Sequence, residues 1–150
     1  MDRRNDHVRW KCVDTTNVSL DGQKPFRPLL NSDYRDVANE QSLDAGLARI
    51  HESMPLIGGV AFGPLVLKDI LFKNMDLDMM ETVLKPKVKG ARLLNERLCD
   101  SDNPLDFFVM FSSFVMVCGN PGQSAYSAAN AYTHSLAQQR RARGLAVSGD

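Results

Sequence analysis

The sequence predicts an open α/β sheet. Three observations carry that expectation: short apolar runs alternate with helical periodicities, serines directly follow one apolar run, and a glycine-bearing turn leads into a long final helix.

The elements follow in chain order. Residues 8–13 mix apolar and polar side chains ahead of Asp14, Thr15 and Thr16, the pattern of a short strand entering a turn. Residues 17–44 are polar, carry Gly22, Pro25 and Pro28, and keep no steady period, so they read as a loop or an insertion with one short helix near its end. The run Leu56-Ile57-Gly58-Gly59-Val60-Ala61 is a buried strand ending at a site, with glycines where its backbone approaches something bulky. Across residues 77–98, Met80, Val83, Leu84, Val88, Ala91, Leu94 and Leu98 recur at the three-and-four spacing of a helix, which Pro86 is expected to kink or restart. Phe107-Phe108-Val109-Met110-Phe111 is continuously apolar, as in a parallel strand covered on both faces, and stops at Ser112 and Ser113. After Gly119-Asn120-Pro121-Gly122, a helix over 124–143 carries Ala125, Ala128, Ala129, Tyr132 and Leu136 on its apolar stripe, with Gly144 as its terminator.

Composition narrows the function classes. A chain of 150 residues with 43% hydrophobic and 24% charged residues suits one soluble domain. Its 18 basic residues balance 18 acidic ones, which removes the electrostatic footprint expected for nucleic acid or an anionic membrane. Arg140, Arg141 and Arg143 fall at the end of the last helix, where cations complement its dipole. Cys12, Cys99 and Cys118 stand far apart without a CxxC spacing, and the aspartates lack metal-loop spacing, so neither a metal nor a dithiol is expected. No apolar run reaches the roughly 18 residues of a membrane span, and the polar start does not resemble a signal peptide. A cytoplasmic setting is the expectation.

In open α/β sheets ligands bind beyond the carboxyl ends of the strands, which directs attention to Ser112 and Ser113. Tyr126 and Asn130 stand four apart on the following helix and share a face. A hydroxyl, a phenol and an amide at a strand end can bind and protonate a carbonyl oxygen while hydride arrives from a nicotinamide ring. A free phenol titrates near 10, and a nearby ammonium favours its phenolate by about 1.4 to 4 kcal/mol, so the set calls for a cation.

Phe111-Ser112-Ser113 followed by Gly119-Asn120-Pro121-Gly122-Gln123-Ser124-Ala125-Tyr126-Ser127-Ala128-Ala129-Asn130-Ala131-Tyr132 resembles the active-site stretch of ketoreductase domains of fungal-type polyketide synthases. These are short-chain dehydrogenase/reductases. Most of that superfamily carries tyrosine and lysine four apart, whereas the ketoreductase branch takes its lysine from an upstream Pro-Lys-Val-x-Gly motif, matched by Pro86-Lys87-Val88-Lys89-Gly90. The resemblance implies that Tyr126 donates the proton, Ser113 hydrogen-bonds the substrate carbonyl, Lys87 tunes the phenol and Asn130 supports the relay. It implies NADPH as cofactor, with Gly59, Val60 and Ala61 lining the nicotinamide-ribose side and Asp14 and Thr15 at the adenine. It implies a β-ketoacyl chain on the phosphopantetheine arm of an acyl carrier protein as substrate, and other synthase domains as partners. Leu67-Lys68-Asp69 partly resembles a Leu-x-Asp motif that the family links to the face of hydride attack.

The same resemblance implies a single partial domain over 1–150, a Rossmann-like doubly wound parallel sheet lacking its first βαβ unit. No GxGxxG turn occurs, and the family's lid and last strand have no counterpart. An alternative is therefore a non-catalytic remnant or interaction module that binds no dinucleotide; a third reading is a stand-alone reductase of small carbonyl compounds. Lys85 and Lys89 compete with Lys87 for the cation's role, and His7, His51 and His134 are read as having none.

Overall fold

A computed structural model describes residues 36–53, 56–99 and 104–147. The strand expected at 8–13 and the turn at Asp14 and Thr15 lie outside them.

The first described helix, α1 (Glu40–Ser53), begins near the end of segment 17–44, where one short helix is expected, and extends beyond it to 14 residues. Leu43, Gly46, Leu47 and Ile50 already stand at helical spacing, and the Asn39 side chain accepts the Ser42 N–H at 3.0 Å, satisfying one donor of the first turn. Strand β1 (Gly59–Phe62) follows, then a 3₁₀ turn at Phe72–Asn74, helix α2 (Leu77–Arg97), strand β2 (Phe107–Met110), the one-turn helix α3 (Val115–Cys118) and helix α4 (Ser124–Ala142). The order is strand, crossover helix, parallel strand, helix.

Helix α2 starts where Asp76 accepts the Met79 N–H at 2.7 Å, and it continues through Pro86 as one helix, so of the expected kink or restart the restart does not occur. A proline there removes one donor, and packing outweighs that loss: Val83, Lys87, Gly90, Ala91, Leu93 and Leu94 are all buried around it.

β1 and β2 pair in parallel, Gly59 opposite Phe107 and Phe62 opposite Met110. The pleat sends Val60, Phe62, Phe108 and Met110 to one face, where they join Val37, Leu43, Leu47, Leu93, Leu94 and Leu136 in the core. The other face is less covered than expected for a strand buried on both sides, because Ala61, Phe107 and Val109 remain half-buried. The bulky neighbour anticipated for the glycines is Phe107, whose ring occupies the space a Cβ on Gly59 would take.

Arg140 corrects the dipole reading of the terminal arginines. It is 1% exposed, donates to Asn95 Oδ1 at 2.7 Å and to the Ala146 carbonyl at 2.9 Å, and lies 4.2 Å from the centre of the Phe108 ring. Burial pulls its guanidinium below the ordinary arginine value. The side chain thus fastens the end of α4 to α2 and β2. Arg140→Leu strips both acceptors of their donor and is expected to lower the unfolding free energy by about 2 kcal/mol, read as an earlier urea midpoint.

Candidate active site

The site forms where β2 ends. The Phe111 N–H extends the ladder by donating to the Phe62 carbonyl at 2.9 Å, while the Phe111 carbonyl accepts from Lys87 Nζ at 2.8 Å. Lys87 is on the buried stripe of α2 and is 4% exposed. Its ammonium also donates to Asn130 Oδ1 at 2.6 Å and stands 5.5 Å from the centre of the Tyr126 ring, within cation–π range. Burial lowers its pKa to about 8. The neighbouring lysines do not compete: Lys85 is exposed, and Lys89 turns to Glu40 at 3.9 Å on the surface.

Asn130 is fully buried and both of its amide atoms are committed, Oδ1 to Lys87 and Nδ2 to the Tyr126 carbonyl at 2.8 Å. The second bond lies within α4, one turn back along the helix, so the amide fixes the Lys87 ammonium relative to the turn that carries Tyr126. Lys87, Asn130, Tyr126 and the end of β2 therefore make one cluster drawn from three elements.

Ser113 lies two residues beyond that carbonyl and is half-buried, while Ser112 is exposed. The Ser113 Oγ accepts the Val115 N–H at 3.4 Å, which leaves its own hydroxyl hydrogen available to an outside acceptor. Ser127, next to Tyr126, donates to the Val115 carbonyl at 3.3 Å. That bond stitches α4 to the turn after Ser113.

A second tie holds the loop before α4. Gly122, at φ 83°, presents its carbonyl to the Ile70 N–H at 3.0 Å, and Gln123 Nε2 reaches both oxygens of Asp69 at 3.0 and 2.9 Å. Asp69, the last residue of the partial Leu-x-Asp match, thus contacts a residue three positions before Tyr126, while Leu67 and Lys68 face solvent.

The residues expected beside a cofactor fare differently. β1 continues to Phe62, so Gly58 to Ala61 are not its end: Gly59 opens the strand, Val60 points into the core, and Ala61 comes nearest the edge. Three residues of rise separate Gly59 from Phe62, roughly 10 Å. Asp14 and Thr15 lie outside the described residues. Among the described residues no three His, Cys, Asp or Glu side chains gather as a metal site, and no helix is long and apolar enough to cross a membrane. Spacing in the sequence points to Tyr126 and Asn130, and the resemblance to the family's Pro-Lys-Val-x-Gly motif points to Lys87; the Phe111 carbonyl and the Asp69–Gln123 contact have no motif that announces their partners.

Residues 32–149 match the protein family described as KR domain. The chain belongs to this ketoreductase family of polyketide synthases. It is 64% identical over 116 residues to a lovastatin nonaketide synthase of Monascus pilosus, covering 75% of this chain and 4% of that protein. It is 50% identical over 145 residues to a hybrid PKS-NRPS synthetase of Macrophomina phaseolina, covering 97% of this chain and 3% of that protein. Among solved structures, an N-terminal ketoreductase from the macrolactin assembly line superposes with TM-score 0.70 at 31% identity, over 77% of this chain and 23% of that one. The first ketoreductase of the tylosin PKS gives 0.65 at 39% identity, over 75% and 24%. The chain thus spans a small part of the curated relatives and about a quarter of those ketoreductase chains. Its parallel sheet and crossover helix are those of the short-chain dehydrogenase/reductase type of α/β fold.

Proposed function

We propose that the chain carries the proton-donating side of an NADPH-dependent reduction of a β-ketoacyl thioester, held on the phosphopantetheine arm of an acyl carrier protein, to the β-hydroxyacyl thioester. The observation that carries this reading is the buried Lys87 ammonium shared between Asn130, the Phe111 carbonyl and the Tyr126 ring. A buried cation beside a phenol at the carboxyl edge of a parallel sheet suits the protonation of a carbonyl oxygen that is gaining negative charge.

The dinucleotide, when bound, supplies the hydride. Every other task falls to this chain. Ser113 donates its free hydroxyl hydrogen to the ketone oxygen and orients it. Tyr126 gives up its Oη hydrogen as the oxygen becomes an alcohol, and the resulting phenolate is balanced by Lys87. Asn130 keeps that ammonium from turning to solvent. Support for the reacting end of a dinucleotide comes from the Lys87 ammonium, which meets Asn130 and the Phe111 carbonyl just beyond Phe62 and Met110, with Ala61 and Gly63 at the edge. The groups that would hold the pyrophosphate are not among them. The cytoplasm and neighbouring synthase domains complete the proposed setting.

The test follows NADPH absorbance with a β-ketoacyl thioester and identifies the product by mass. The expected result is saturable turnover to the β-hydroxyacyl thioester. NADPH binding without turnover overturns the proposal, and the lack of saturable binding supports the non-catalytic reading.

A further inference from the structure

Gly90 closes the Pro86-Lys87-Val88-Lys89-Gly90 motif, yet it carries no side chain and does no chemistry. Its surroundings account for it. A Cβ at this position would lie 2.8 Å from Val37 Cγ1, 3.2 Å from Phe62 Cζ and 3.3 Å from Phe62 Cε2, against the 3.5 to 4.0 Å at which carbon atoms ordinarily pack. Val37 is 0% exposed and Phe62 is 1% exposed, so neither has free space into which to retreat. The backbone of α2 therefore rests directly on the last residue of β1.

That contact belongs to a closed circuit. Phe62, which meets Gly90 through its ring, accepts the Phe111 N–H through its carbonyl at 2.9 Å. The Phe111 carbonyl in turn accepts from Lys87 Nζ at 2.8 Å. Lys87 precedes Gly90 by three residues, about one turn of α2. We infer that Gly90 is a positioning residue for Lys87: the missing side chain sets how near α2 comes to the sheet, and that spacing lets the ammonium reach Phe111 and Asn130.

The inference rests on the role proposed for Lys87, but its readout does not require that role. Gly90→Ala adds one methyl in a helix interior, where alanine is otherwise favoured over glycine by about 1 kcal/mol, so propensity works for the variant and the steric clash against it. The helix must move off Phe62 by several tenths of an ångström, and the bonds of 2.6 and 2.8 Å from Lys87 loosen together. Carbon-13 labelling of lysine follows the titration of Lys87 by NMR, its resonance assigned with Lys87→Met. In the unaltered protein it is expected near 8. In Gly90→Ala it moves toward the ordinary 10.5 as water gains access, and kcat falls by about 10- to 100-fold.

Should Gly90→Ala not fold, the same comparison is made in a Val37→Ala background. That change removes the atom at 2.8 Å and leaves the Phe62 ring to press the helix away. A titration unmoved by the alanine at position 90, in whichever background folds, overturns the inference. If instead the titration moves but Lys87→Met retains full turnover, the positioning stands and the catalytic reading of Lys87 falls.

Discussion

Tyr126→Phe is expected to lower kcat for β-ketoacyl thioester reduction by about 10²- to 10⁴-fold, the usual worth of a positioned general acid. The variant removes one oxygen and its hydrogen. The ring stays, so Lys87 keeps its aromatic neighbour, now 5.5 Å from the ring centre, and the Asn130 bond to the residue 126 backbone carbonyl does not depend on the hydroxyl. KM and the thermal midpoint should therefore change little while kcat collapses, the pattern of an interaction made mainly in the transition state. Initial rates of NADPH consumption at saturating substrate, paired with a thermal melt, measure both. Equal rates in the two proteins would remove Tyr126 from the chemistry.

Much of this arrangement was legible in the sequence because the informative signals are periodic or local. The apolar run 107–111 and its stop at the serines gave β2 within one residue, and the four-residue spacing of Tyr126 and Asn130 gave their shared face. Gly144, at φ 68°, ends the last helix as its position suggested. The misses have a common cause, which is that tertiary packing decides them. Pro86 signals a break, but a helix buried on both sides of it continues. Arg140 looks like a terminal cation, yet it reaches inward because Phe108, Asn95 and Ala146 offer it a ring and two acceptors from distant parts of the chain. The sequence places the end of β1 at Ala61, one residue short of Phe62, and the bulky neighbour that Gly59 admits is the protein's own Phe107. Helix α1 starts where the sequence suggests only a short helix and runs on to Ser53, because Leu43, Leu47 and Ile50 carry its period beyond the polar stretch before it.

A motif names residues but not the energy of holding them, and for Lys87 that energy is the more telling quantity. Its folded pKa of about 8 lies below the ordinary 10.5, so between those values the unfolded chain still binds a proton that the folded chain has released. Stability contributed by this group therefore rises with pH across that window. Equivalently, keeping the ammonium charged in its buried place costs about 3 kcal/mol at neutral pH, net of its bonds to Phe111 and Asn130. Lys87→Met is expected to show both sides of this. The unfolding free energy of the unaltered protein, measured relative to Lys87→Met by urea titration, should increase by about 3 kcal/mol between pH 7 and pH 10.5. Turnover should move the other way: the variant loses about 10²- to 10³-fold in kcat, and the decline that the unaltered protein shows as pH passes 8 is missing from it. A charge kept at such expense in stability supports the role proposed for Lys87. Parallel stability curves across that pH range would mean that the lysine is solvated in the folded protein, and its part in protonating the substrate would have to be given up.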